Sequence, residues 1–174
     1  MKIMKTLKLI LSLLLIGLLC GTSCEKYKEK VWTELPPETQ VGANTIGCLV
    51  DGKLWATSKL PGYTLAPKMV ATYTKKNEDY ELYFVAEGHN GNMACRIINP
   101  KTGNNISVVT GQFDFVDNCR LFKRIDANLY IDKLDISKGI VSGHFTFDIP
   151  CEENEDNIIQ ITKGRFDMRM SVYK

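Results

Sequence analysis

A chain of 174 residues is long enough to bury one core of its own. Its formal charge of +2 overstates its basicity, because Lys2, Lys5 and Lys8 precede the first apolar run and none of the 20 acidic residues does. The remainder is close to neutral and has no Lys/Arg cluster. That excludes nucleic acid as a partner, which needs several phosphate-neutralising cations on one face, and gives no basis for electrostatic membrane binding.

The three lysines open a stretch that ends in LILSLLLIGLLCGTSC, Leu9 to Cys24. A basic start, an apolar run and the small residues Gly21, Thr22 and Ser23 make the pattern of an export signal. The apolar run of about 11 residues is short of the roughly 20 that a membrane span needs. A cysteine directly after the small residues makes the stretch resemble a bacterial lipoprotein signal. Residues 1–23 are therefore expected to be removed and Cys24 to carry the lipid that holds the protein to a membrane. Residues 24–43 read as a tether. Their charges alternate in sign, Pro36-Pro37 disfavours helix, and no apolar periodicity runs through them.

From Asn44 the hydrophobic period is two, which predicts strands with one buried face. Thr45–Val50 places Ile46, Cys48 and Val50 together. Asp51-Gly52 predicts a hairpin turn into Lys53–Thr57, where Trp55 reads as core. Residues 58–67 are loop, and strands at 69–75 and 80–87 form the next hairpin. Strands at 93–99, 106–116, 127–135 and 140–149 follow. In the last of these Val141, Phe145, Phe147 and Ile149 point one way, and Ser142, His144, Thr146 and Asp148 the other. Residues 157–162 lead through Lys163-Gly164 into 165–173. There Phe166, Met168, Met170 and Val172 form a buried face, while Arg165, Asp167 and Arg169 form an exposed charged row. Beyond the signal no segment has a helical period. About eight to ten short strands with regular turns give an all-β domain over 44–174, an antiparallel sandwich or barrel-like sheet with little or no helix.

Two stretches carry a resemblance. LPPETQVGANTIGCLVDGKLW (Leu35–Trp55) opens the mature part, and SGHFTF (Ser142–Phe147) followed by ITKGRFDMRM (Ile161–Met170) closes it. The chain resembles a family of Bacteroidales lipoproteins of unknown activity. Its members tend to begin with an LPPxTxxGxNTxGxLVxGxxW-like segment and end with SGxFxF and ITxGRFD. The resemblance implies a lipid-anchored envelope protein with a β fold. It brings no catalytic residues, and none are carried over.

The four remaining cysteines, Cys48, Cys95, Cys119 and Cys151, are the candidates for at least one disulfide in an exported chain. Cys48 and Cys95 lie on apolar strand faces, where a thiol also serves as a small hydrophobe. No zinc-type spacing occurs, and no cofactor is expected. Of the two histidines, His89 sits in a glycine-rich turn and His144 on an outward strand face. Ser142, His144 and Asp148 share that face but spread over about 20 Å, too far for one proton relay. Glu152, Glu153, Glu155 and Asp156 lack the order that wraps a calcium ion and read as a solvated loop. Tyr83 and Tyr130 lean outward by parity and are the candidates for a binding surface, while Trp32 reads as docking on the domain. The expectation is a non-catalytic binding or accessory module for a glycan, a peptide or another envelope protein. The alternative is a structural lipoprotein without a small ligand.

Overall fold

The computed structural model describes residues 32–57, 69–88, 91–113, 125–150, 156 and 158–174. Among them there is no helix. Ten strands follow one another: β1 (Thr45–Val50), β2 (Lys53–Ala56), β3 (Met69–Lys76), β4 (Asp79–Gly88), β5 (Gly91–Ile98), β6 (Gly103–Phe113), β7 (Ile125–Asp135), β8 (Ile140–Pro150), β9 (Ile158–Arg169) and β10 (Ser171–Tyr173). They form a single sheet in the order β10-β3-β4-β5-β6-β7-β8-β9-β1-β2, curled into a half-barrel. The barrel-like alternative holds, and the described strands all belong to this one sheet.

The turns follow from residue chemistry. Asp51 and Gly52 both adopt positive φ, 47° and 76°, the pair that a tight β1–β2 hairpin requires. Asn77, at φ 58°, turns β3 into β4. The side chain of Asn105 braces the β5–β6 connection, accepting from the Lys101 N–H and donating to the carbonyls of Lys101 and Gly103.

The curl comes from the last strands. β9 pairs antiparallel with β8 and β1, but after Met170 the chain reaches the other edge of the sheet, where β10 pairs parallel with β3. This is the only parallel pair among the described strands. Near the other end of the interior, Thr57 bridges to Gly88 just past the end of β2. Trp55, 2 % exposed, packs under this seam and donates its indole N–H to the Gly91 carbonyl at 3.3 Å.

The interior is filled by side chains. Phe84 of β4 stacks on Phe166 of β9 across the curl, with ring centroids 5.4 Å apart, and Phe145 adjoins Phe166. Ile46, Cys48, Val50, Leu82, Ile131, Val141, Ile161 and Met168 are fully buried around them. Each such aliphatic or aromatic side chain contributes about 1.5–3 kcal/mol on burial. The alternation of Phe166, Met168 and Met170 is therefore the buried face that the sequence predicts.

Lys163-Gly164 does not separate two strands. β9 runs through it as a bulge, with Lys163 at φ 52° and a register shift against β8 between Phe145 and Phe147. Across this pair of strands Gly143 faces Phe166 and Phe145 faces Gly164. A Cβ on Gly164 would overlap the Phe145 ring, and one on Gly143 would run first into the Tyr130 carbonyl oxygen of β7 and also lie 2.7 Å from the Phe166 ring. Gly164 thus makes room for the ring opposite, and Gly143 for both a neighbouring backbone carbonyl and a ring, which gives the SGHF and KGRF strings a physical cause.

Cys48 and Cys95 are free, buried thiols. Burial pushes both up to about 12, although Ser107 partly offsets this at Cys95, so they remain protonated and unreactive. The disulfide expectation is therefore left to Cys119 and Cys151, which lie outside the described residues. So do Cys24, His89 and the acidic residues 152, 153 and 155.

Candidate functional site

The segment expected to be a tether is, from Trp32 onward, bonded to the domain. The Trp32 indole N–H donates to the Thr57 carbonyl at 2.8 Å. Pro36 is buried over Gly47 of β1, where a Cβ would come within 2.7 Å of the proline ring. The segment then crosses the outer face of the sheet. Glu38 accepts from Arg165 Nη1 of β9 at 3.2 Å, and the Gln40 carbonyl accepts from Lys133 Nζ of β7 at 2.8 Å. Residues 32–43 form a strap over strands β1, β9, β8 and β7.

Asp167 fastens the strap. Its carboxylate accepts the N–H groups of Val41, Gly42 and Ala43 at 3.0, 2.8 and 3.1 Å, and the Thr39 hydroxyl at 2.5 Å. Three consecutive amides converge on one carboxylate because Gly42 takes φ 74°, a left-handed conformation suited to glycine. Asn44, at φ 55°, then accepts the Arg169 N–H on its side chain and leads into β1. Burial is the largest influence on the Asp167 carboxyl and pushes it up. The Thr39 hydroxyl and the amides of Ala43, Val41 and Gly42 together outweigh it and hold the group below the usual carboxylate range.

This corrects the reading of Arg165, Asp167 and Arg169 as an exposed row. The three do alternate with the buried face, but Asp167 is only 1 % exposed because the strap covers it. Arg165 is half-buried beside it, and its Nε is buried without a hydrogen-bond partner.

Between the strap and the sheet lies a groove of about 420 Å³. Its wall is Pro37–Gln40, and its floor includes Asp132, His144, Arg165 and Phe166. Strand register sets this floor. Tyr130, His144 and Arg165 are direct neighbours across β7, β8 and β9, and Gly47 of β1 completes the row. The Tyr130 ring stacks on His144 with centroids 4.8 Å apart, and Asp132 holds His144 Nδ1 at 3.1 Å. An exposed imidazole is thus fixed from two sides. Its carboxylate partner is Asp132 of the next strand and not Asp148. Ser142 is buried and its hydroxyl has no hydrogen-bond partner, so the conceivable triad is not assembled.

The two tyrosines expected on the binding surface are not brought together. Tyr130, 44 % exposed, stacks on His144 beside the groove without lining it. Tyr83 lies on the outer face of β4, facing Arg96 of β5, whose guanidinium is 5.9 Å from its ring centroid over a shallow depression of about 300 Å³. Glu38 and Asp132 carry no local signal in the sequence, and neither does the latch role of Asp167, whose partners are about 125 residues away. Among the described residues no group of three or more His, Cys, Asp or Glu could hold a metal ion, and no helix is long and apolar enough to cross a membrane. Comparison with protein-family models, with curated proteins and with solved structures finds no match.

Proposed function

We propose that this chain is a cell-envelope lipoprotein, anchored to the outer membrane through a lipid on Cys24, whose β domain is a non-catalytic binding module. The anchor rests on the order of Lys2, Lys5 and Lys8, the apolar run from Leu9 and the Ser23-Cys24 boundary. The binding role is carried by one observation: a groove of about 420 Å³ walled by the strap and floored by a doubly held His144. That volume lies within the range of small-ligand sites, and side chains fixed before binding lower its entropic cost. The polar lining holds a histidine paired with a carboxylate, and Thr39, the hydroxyl of the groove wall, is spent on Asp167. This favours holding a ligand over attacking it.

The test has two parts. Intact mass of protein extracted from membranes should show loss of residues 1–23 and gain of lipid, and Cys24→Ala should abolish the lipid. A cleaved, unlipidated wild-type product contradicts the anchor. Oligosaccharides, peptides and detergent-solubilised envelope extract should then be screened against wild type and His144→Ala. Ligands that bind both equally place the binding role elsewhere than in the groove.

A second reading has its own support. The interior is packed with side chains, and the outer face of β3–β6 is partly apolar, with Ile98 and Ile106 52 % and 70 % exposed. A structural envelope protein with no small ligand needs nothing more, and a screen that returns no ligand favours it.

A further inference from the structure

We infer that the groove takes a neutral oligosaccharide segment, an inference that rests on the binding role proposed above. The first observation is charge. The ionisable groups lining the groove are Glu38, Asp132, His144 and Arg165, and each already has a partner there. Arg165 Nη1 lies 3.2 Å from Glu38, and His144 Nδ1 lies 3.1 Å from Asp132. Lys133, next to Asp132, donates to the Gln40 carbonyl. An acidic ligand has to take Arg165 from Glu38, and a basic one has to take a carboxylate from Arg165 or His144. Each exchanges one existing contact for another and gains little. A ligand without charge leaves both contacts intact.

The second observation is the kind of contact offered. With Nδ1 on Asp132 and one ring face on Tyr130, His144 presents Nε2 and its remaining ring face. The Glu38 side chain is 79 % exposed and accepts hydrogen bonds beyond the one from Arg165. Planar polar groups beside a fixed ring suit a sugar, which has a rim of hydroxyls that donate and accept and an apolar C–H face for a ring. The groove is partly open to solvent, so it fits a segment of a chain rather than an enclosed monosaccharide.

The experiment is a printed array of neutral, uronate-bearing and amino-sugar-bearing oligosaccharides, probed with the full chain in a zwitterionic detergent free of sugar headgroups. Neutral oligosaccharides should bind. His144→Ala should weaken that binding at least tenfold, while Tyr173→Ala, on β10, should leave it unchanged. Both side chains are exposed, and equal urea midpoints would establish that the variants fold. Glu38→Gln sharpens the test. It releases the Arg165 guanidinium, so uronate-bearing chains should gain at least tenfold in affinity, a change that a merely structural Glu38 would not produce. If acidic or basic chains bind wild type in preference and lose binding in His144→Ala, the groove is a binding site but the neutral class is overturned. Peptides that alone bind, and that depend on His144, would overturn it equally. Neutral binding indifferent to His144→Ala also overturns the inference. If no probe of any class binds, the binding role itself falls with it.

Discussion

Two quadrants of the outer surface obey the same strand alternation and end up differently. Over β3–β6 the outward side chains of Val70, Ile98 and Ile106 are exposed and Tyr83 is half-buried. Glu81, the one buried charge there among the described residues, is held by Lys76 and Arg96 of the same sheet. Over β7–β9 and β1 the outward side chains include charges, yet Asp167, Ser142 and Thr45 are as buried as core residues. The difference is the strap. Alternation tells which residues share a face, but a face becomes interior only when something covers it. Here the charged face is the covered one, because a carboxylate can collect the backbone N–H groups of a crossing segment and an apolar side chain cannot.

Removing what holds each layer tests whether the two quadrants differ as described. Phe166→Ala empties the inner face of β9 opposite Gly143 and should cost about 3–5 kcal/mol, read from urea midpoints of the full chain. Asp167→Ala acts on the outer face of the same strand. It leaves three amides and a hydroxyl without their acceptor, and should cost about 3 kcal/mol. An effect under about 1 kcal/mol, typical of an exposed charge, would mean that the strap does not depend on this carboxylate.

Acid should reveal the same contact. The folded Asp167 carboxyl lies below its ordinary value of about 3.9, so its stabilisation is present above about pH 4 and is lost as pH falls through the lower, folded value. Asp167→Asn should flatten the stability profile over that acidic window, and an unchanged slope would contradict the assignment. At the small end, Ile106→Ser on the β3–β6 quadrant should change stability by no more than about 0.5 kcal/mol. A larger loss would show that this quadrant is covered too.

How much of this is legible in the sequence depends on range. The β1–β2 hairpin can be read from Asp51-Gly52, and the inner faces of β8 and β9 from alternation, because both signals lie within a few residues of sequence. The strap cannot. Glu34, Glu38, the prolines and Gly42 look like a solvated linker, and nothing local distinguishes a linker from a segment that docks on residues about 125 positions later. For the same reason parity finds Tyr130, whereas its role beside His144 needs the register of β7 against β8. Lys163-Gly164 misleads in a different way: a lysine–glycine pair in a β sequence signals a turn or a bulge equally well, and only the facing Phe145 ring decides between them.

Whether residues 39–43 belong to the folded domain through Asp167 can be measured by amide hydrogen exchange of the full chain, followed residue by residue by NMR. The amides of Val41, Gly42 and Ala43 should be protected to a degree comparable with β9, and Asp167→Asn should release all three while β4 and β5 keep their protection. Exchange of these three amides at the rate of an exposed linker in the wild-type protein would mean that the strap is a tether after all.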